Sequence, residues 1–396
     1  MKAKTMKPFL PQGLIEAARL TRAGRLSEAT AALQGAMAGQ QASEPNRRGP
    51  PTIDGTGETV PDPAEGVGLP IPKALRGLLD RVSPGGFPMP GGAARTSSPG
   101  ATPAGLPDGA QFLAKTFSNP VGSRPYKVYV PSGYRGQPMP LVVMLHGCTQ
   151  SPDDFAAGTR MNLAAEQHAC LVAYPGQTSS ANMQKCWNWF SEADQRRDAG
   201  EPSLIAGITR EVMRDYAVDP ARVYVAGLSA GGAAAAVLGE TYPDLYAAIG
   251  VHSGLACGAA RDMQSAFTAM QRGGPVPRTA GPQGRVMPAI VFHGDRDTTV
   301  NPRNGDAVAE QSAHGAPLGT QSEDGQVPGG HAYRRTRRID ADGQTVIEQW
   351  VVHGAAHAWF GGSSAGSYTD PRGPDATGEM LRFFLEHPYP APVPAG

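Results

Sequence analysis

Gly227-Leu228-Ser229-Ala230-Gly231 stands between the run Arg222-Val223-Tyr224-Val225 and the small-residue run Gly232-Ala233-Ala234-Ala235-Ala236-Val237-Leu238. A strand, a sharp turn and a helix therefore follow one another, with a serine at the turn. Such a turn lifts a hydroxyl clear of the sheet edge. Glycines flank the serine because the turn demands strained backbone angles and close strand–helix packing.

Downstream and upstream the same rhythm recurs. Tyr126–Val130, Leu141–Leu145, Cys170–Tyr174, Val223–Val225, Ala247–Val251, Ala289–Phe292 and Val346–Val352 read as strands. Leu141–Leu145 is apolar throughout, as a strand buried on both faces must be. Helices are expected at Pro202–Tyr216, where Leu204, Ile205, Ile208 and Val212 share one face, from the turn to about Glu240, and at Ala376–Glu386. A further helix is expected from Asn301 and Pro302 onward, and a helical insertion at Arg261–Arg272. Alternating strands and helices imply an α/β fold, with a mostly parallel central sheet covered on both faces.

That pattern occupies residues 109–390. Residues 1–40 read instead as a short helical hairpin, with Leu26, Ala29, Leu33 and Met37 at helical spacing after Gly24. Residues 41–108 are so rich in Pro and Gly that they cannot bury enough apolar surface to offset their ordering entropy, and read as a flexible linker. One helix, Lys73–Val82, is expected to interrupt it.

Of 396 residues 40% are hydrophobic, and 35 Lys+Arg balance 35 Asp+Glu. No global field therefore argues for a nucleic-acid partner. No apolar run reaches the length of a membrane span. The lysines of Met1–Leu10 are not followed by an apolar stretch, so no signal peptide is read and a cytoplasmic location is expected. Cys148, Cys170, Cys186 and Cys257 are too widely spaced for a zinc site. In a cytoplasmic chain they are expected as buried free thiols, with a Cys148–Cys186 bond as the alternative.

A serine hydroxyl hardly ionises at neutral pH, so Ser229 needs a base, and the base needs an orienting carboxylate. The base should follow the last strand, where Val352-His353-Gly354-Ala355-Ala356-His357-Ala358-Trp359-Phe360 offers two histidines. His357, further into the loop, is preferred, and His353 is the alternative. The acid should follow the preceding strand, in His293-Gly294-Asp295-Arg296-Asp297-Thr298-Thr299-Val300. Asp297 is preferred over Asp295, with Val300 packing back on the core. The order Ser229, Asp297, His357 is that of the α/β-hydrolases. Charge on an attacked carbonyl oxygen calls for two backbone N–H donors. Ala230 and Cys148, the latter in His146-Gly147-Cys148-Thr149-Gln150, are the candidates. His146, at a strand end before the serine, is expected to be structural. In Cys186-Trp187-Asn188-Trp189-Phe190 the residues Trp187, Asn188 and Trp189 form either a substrate wall or core. Trp359 is a second wall candidate, and Trp350 is expected in the core. No metal or cofactor is required by this chemistry.

Five of these segments together resemble the esterase family of polyhydroxybutyrate depolymerases, type-1 catalytic domain, over roughly residues 115–385. They are Leu145–Gln150, Cys186–Phe190, Gly227–Gly232, His293–Asp297 and Gly354–Trp359. The resemblance implies an α/β-hydrolase fold and cofactor-free hydrolysis of carboxylic esters by Ser229, Asp297 and His357. It implies a polyester or oligoester substrate, short-chain poly(3-hydroxyalkanoate) first. Feruloyl and acetylxylan esterases are similar in the same motifs and supply the alternative substrates. Members are often secreted, so the resemblance also implies an extracellular alternative. Two other readings start from the same residues: peptide cleavage or acyl transfer, and a polyester-granule-binding protein with weak catalysis.

Overall fold

The computed structural model describes residues 107–276 and 286–389. The helical pair expected at 1–40, and all of the 41–108 linker except residues 107 and 108, lie outside them.

Strands β1 (Gln111–Asn119), β2 (Gly122–Val130), β3 (Met139–Leu145), β4 (Leu171–Pro175) and β5 (Val218–Leu228) belong to one sheet. So do β6 (Ala248–His252), β7 (Ala289–Gly294), β8 (Gly319–Gln326), β9 (Ala332–Ile339) and β10 (Thr345–Val352). Their order is β1-β2-β4-β3-β5-β6-β7-β10-β9-β8. The central block from β4 to β10 is parallel. Antiparallel pairs extend it at both edges, β1–β2 on one side and β9–β8 on the other.

Side-chain alternation along the buried strands divides the core between two faces. Leu141, Val143, Leu145, Val223, Val225 and Val251 point to one face. They meet Ile205, Ile208 and Val212 of α3 (Gly200–Asp215) and the alanines of α4 (Ala230–Thr241). Val142, Met144, Tyr224, Ile290 and Phe292 point to the other. There they meet Phe155 of α1 (Pro152–Thr159), Met161 of α2 (Met161–His168) and Met380, Phe383 and Phe384 of α7 (Ala376–Glu386). Helices α5 (Met263–Arg272) and α6 (Arg303–Ala313) complete the described set, together with the two-residue strands β11 (Trp359–Phe360) and β12 (Thr369–Asp370). This is the α/β-hydrolase arrangement of a mostly parallel sheet with helices on both faces. Among the described residues no helix is long and apolar enough to cross a membrane.

Each strand read from the sequence is present, most of them a few residues longer. β1 and the β8–β9 hairpin are additions. β1 alternates exposed with half-buried residues and β8 is almost wholly exposed, so neither carries the continuous apolar run of a buried strand. β8 and β9 are held by pairing and by cross-strand ion pairs such as Arg334–Asp324 at 2.8 Å. Helices α1 and α2 escape an amphipathic reading because each is two turns long. They are set off by left-handed residues, Arg160 (φ 58°) and Ala169 (φ 51°).

The turn from β5 into α4 is packed backbone on backbone. A Cβ on Gly231 would overlap the carbonyl oxygens of Leu145 and His146, and one on Gly227 would overlap Gly231. Because those obstacles are backbone, no side-chain movement relieves them. Gly231→Ala is therefore expected to lower the unfolding free energy by about 3 kcal/mol, measured by denaturant titration. An unchanged midpoint would contradict this packing.

Candidate active site

Ser229 occupies the tip of the β5–α4 turn at φ 58°, ψ −119°, a strained backbone for a residue with a Cβ. Its N–H donates to the His252 carbonyl at 2.8 Å, which fixes the turn against the end of β6. Ala230 opens α4, so its N–H has no acceptor within the helix.

The loop after β3 lies against this turn. The position of a Cβ on Gly147 lies 3.6 Å from the Ser229 Cβ, so the loop runs in van der Waals contact with the turn. Three amides of this loop are already engaged. Gly147 N–H donates to Gln150 Oε1 at 2.9 Å, Thr149 N–H to the Gln184 carbonyl at 2.6 Å, and Gln150 N–H to the Gly147 carbonyl at 3.3 Å. Among the described residues the Cys148 amide, like that of Ala230, has no protein acceptor. Cys148 is disulfide-bonded to Cys186. This corrects the expectation of four free thiols, since the 178–186 loop folds back to bring the two cysteines together. Cys170 and Cys257 are the buried free thiols.

His146 holds the loop from below. Its Nδ1 donates to the Gly147 carbonyl at 2.7 Å, its Nε2 accepts from Gln177 N–H at 3.0 Å, and its carbonyl accepts from Trp187 Nε1 at 3.1 Å. Burial pushes its pKa down to about 4. A neutral, internally bonded imidazole of this kind is a structural part.

On the other side, the β7–α6 and β10–β11 loops carry the acid and base candidates. Asp297 is buried, and its Oδ1 accepts the amides of Thr299 and Val300, both at 2.8 Å. Its Oδ2 accepts from His357 Nδ1 at 2.6 Å. Burial alone would raise the Asp297 pKa. Hydrogen bonds from His293, His357 and the backbone, with the His357 charge, outweigh it and hold the carboxyl well below the usual range. Val300 is buried, as expected, and its carbonyl accepts from His293 Nε2 at 2.9 Å. The same Nε2 lies 3.4 Å from Asp297 Oδ2.

The competing pair forms a separate unit. His353 Nδ1 is 3.0 Å from Asp295 Oδ2, and Asp295 Oδ1 accepts from Gly354 N–H at 2.7 Å. This second couple is exposed, whereas Asp297 is sealed from solvent. The fold thus sorts two histidines and two aspartates into an outer and an inner pair. No hydrogen bond joins the Ser229 hydroxyl to the His357 ring among the described residues.

Of the two readings of Trp187, Asn188 and Trp189, substrate wall or core, and of Trp359 as a second wall, burial favours core and corrects the wall candidates. Trp187 and Trp359 are fully buried and Trp189 nearly so. Trp187 is fastened to the His146 carbonyl and Trp359 Nε1 to Thr377 Oγ1 at 3.0 Å, so both indoles are committed to the interior. Asn188 binds buried Glu201 through its N–H at 2.7 Å and its Nδ2 at 2.8 Å, which commits it too. The half-interrupted run 186–190 is core that carries polar ties. Trp350, read as core, is buried. Two exposed apolar side chains are Tyr368 and Met183, the latter next in sequence to Gln184, whose carbonyl accepts the Thr149 amide. Tyr368 reaches Thr149 Oγ1 at 3.1 Å. Both lie on loops without periodicity, and no local pattern marks them.

His252 and His293 also escaped the sequence reading. His252 is the last residue of buried β6 and His293 the last but one of buried β7, where an imidazole cannot be told from packing by its neighbours alone. Among the described residues, no group of three or more His, Cys, Asp or Glu could hold a metal ion.

Two stability measurements follow. The folded pKa of His146 is depressed from 6.5 to about 4. Its neutral form therefore contributes full stability above 6.5, and that contribution is lost as pH falls toward 4. The loss amounts to roughly 3 kcal/mol at most, and urea titrations of His146→Gln should show a correspondingly flatter pH slope. The disulfide closes 38 residues of sequence separation. Its reduction should lower the unfolding free energy by up to about 4 kcal/mol, read from denaturation with and without reductant.

Known proteins match this framework. The family model described as Esterase PHB depolymerase matches residues 124–316. Poly(3-hydroxyalkanoate) depolymerase C of Paucimonas lemoignei is 32% identical over 250 residues, which cover 61% of this chain and 59% of that enzyme. Feruloyl esterase B of Neurospora crassa is 33% identical over 215 residues, covering 50% of this chain and 72% of that one. The chain thus spans about three-fifths of the depolymerase it matches. In fold it is similar to an acetyl xylan esterase from Aspergillus awamori, with TM-score 0.55 and 22% identity, covering 70% of this chain and 99% of the other.

Proposed function

We propose that this chain, which belongs to the PHB depolymerase esterase family, is a serine hydrolase that cleaves carboxylic esters through an acyl-enzyme. The observation that carries the reading is the 2.6 Å bond from His357 Nδ1 to the buried, ionised Asp297. An ionised carboxylate can only accept, so the proton of this bond sits on Nδ1, and in the neutral ring Nε2 is then the nitrogen that can act as a base.

In this mechanism Ser229 Oγ attacks the ester carbonyl while His357 Nε2 takes its proton. Asp297 orients the imidazole and stabilises its charged form. The N–H groups of Cys148 and Ala230 receive the developing oxyanion. His357 then returns its proton to the departing alkoxide, and the acyl group rests on Ser229. Water activated by the same imidazole releases the acid. No cofactor enters these steps.

Short-chain poly(3-hydroxyalkanoate) or its oligomers are the first substrate class, in line with the depolymerase relative. Met183 and Tyr368 offer an exposed apolar rim beside Cys148 on which such an acyl chain would lie. The feruloyl esterase relative supports the alternative of soluble feruloyl or acetyl esters. The disulfide at Cys148 favours an oxidising compartment over the cytoplasm.

The test is hydrolysis of p-nitrophenyl acetate, p-nitrophenyl butyrate and amorphous polyhydroxybutyrate by the wild type and Ser229→Ala. The expected result is cleavage of all three by the wild type and loss of at least about 10³-fold in the variant. Cleavage of the soluble esters alone would move the substrate to the feruloyl or acetyl class. Full activity in Ser229→Ala would overturn the mechanism.

A further inference from the structure

Given the serine-hydrolase reading, we infer that His252 is a positioning residue, which ties the Ser229 turn to the loop carrying His357. It does so with two parts of one residue. Its main-chain carbonyl accepts from Ser229 N–H at 2.8 Å. Its ring Nε2 accepts from the N–H of Phe360, three residues beyond His357, at 3.1 Å.

Hydrogen-bond bookkeeping fixes the tautomer. An amide N–H only donates, so Nε2 of His252 carries no proton and Nδ1 must carry it. Nδ1 lies 3.2 Å from Ser253 Oγ, which accepts it. The ring is 0% exposed and has no room to turn. It stacks on Phe292 at 5.6 Å and 11° and on Trp359 at 5.0 Å and 25°, with Phe360 edge-on at 4.4 Å. Trp359 is in turn held by Thr377.

Nucleophile and base come from segments far apart in sequence, and substrate attack requires both at one carbonyl carbon. A misplacement of about 1 Å between them costs up to about 10²-fold in rate. His252 touches both segments and touches neither the hydroxyl nor the base ring, so its effect reaches the reaction through Ser229 and the His357 loop. Removing the Nε2 acceptor should therefore leave ground-state binding in place and slow the chemical step.

The test compares His252→Leu with His252→Gln, whose amide oxygen can take the Nε2 position and accept from Phe360 N–H. Kinetics use p-nitrophenyl butyrate, cooperative thermal unfolding checks the fold, and ¹⁵N–¹H spectra of the wild type read the tautomer. The expected result is a kcat about 10- to 100-fold lower in His252→Leu with KM within about twofold. His252→Gln should recover most of the loss, and the spectra should show a neutral His252 protonated at Nδ1. A folded His252→Leu with unchanged kcat would overturn the proposal. So would a folded His252→Gln as slow as His252→Leu, or a proton found on Nε2. Should His252→Leu fail to fold, His252→Gln against wild type and the tautomer decide the matter. Loss of activity in the wild type itself, beside an Nδ1-protonated His252, would sink the hydrolase reading while leaving the tie in place.

Discussion

Backbone packed on backbone at Gly227 and Gly231 is the constraint from which the rest of the site follows. With no Cβ at either position, the first turn of α4 settles against the carbonyl oxygens at the end of β3. That approach sets the Ser229 hydroxyl at the tip of a strained turn. It also brings the free amides of α4's first turn next to the loop after β3, where Gly147 lies against Ser229. The proposed mechanism uses this closeness to aim two amides from separate elements at one oxygen. The same closeness explains why α4 is built of alanine and glycine, since larger side chains would hold it away from the sheet.

Around this centre the protein spends its buried polar groups on alignment. Gln150 receives the Gly147 amide and passes its own Nε2 to Asp154 Oδ2 at 2.9 Å. His146 and Trp187 grip the same loop, and the Cys148–Cys186 bond fastens it to the 178–186 segment. Asp297 is saturated by two amides and the His357 ring, with His293 close by. The burial that would otherwise favour its neutral form is thus overcome by donors, and the carboxylate keeps its charge where the imidazole needs it.

Much of this was legible in the sequence where the signal was local. The glycine-flanked serine, the apolar run Leu141–Leu145 and the helix at Ala376–Glu386 each state their structure in a few residues. The choice of Asp297 and His357 over Asp295 and His353 rests on chain order and loop position; the structure pairs Asp297 with His357 inside and Asp295 with His353 outside. Other features depend on long-range partners. Trp187, in an aromatic run interrupted by Asn188, and Trp359, before a glycine pair, could each read as a substrate wall, yet each indole N–H finds an acceptor inside the protein. The disulfide depends on a loop returning across the sheet end, which spacing alone does not encode. His252 and His293 fall just past the strands read at Ala247–Val251 and Ala289–Phe292, and only the assembled sheet reveals their neighbours.

The central claim is that Ser229 is the nucleophile and that the amides of Cys148 and Ala230 receive the oxyanion. A crystal structure of the protein after reaction with an alkyl phosphonate ester tests it most directly, because the tetrahedral phosphorus mimics the attacked carbonyl. The account predicts phosphorus bonded to Ser229 Oγ, its phosphoryl oxygen between those two amides, and His357 Nε2 facing the ester oxygen. Phosphorus on another residue, or a phosphoryl oxygen turned away from Cys148 and Ala230, would contradict it.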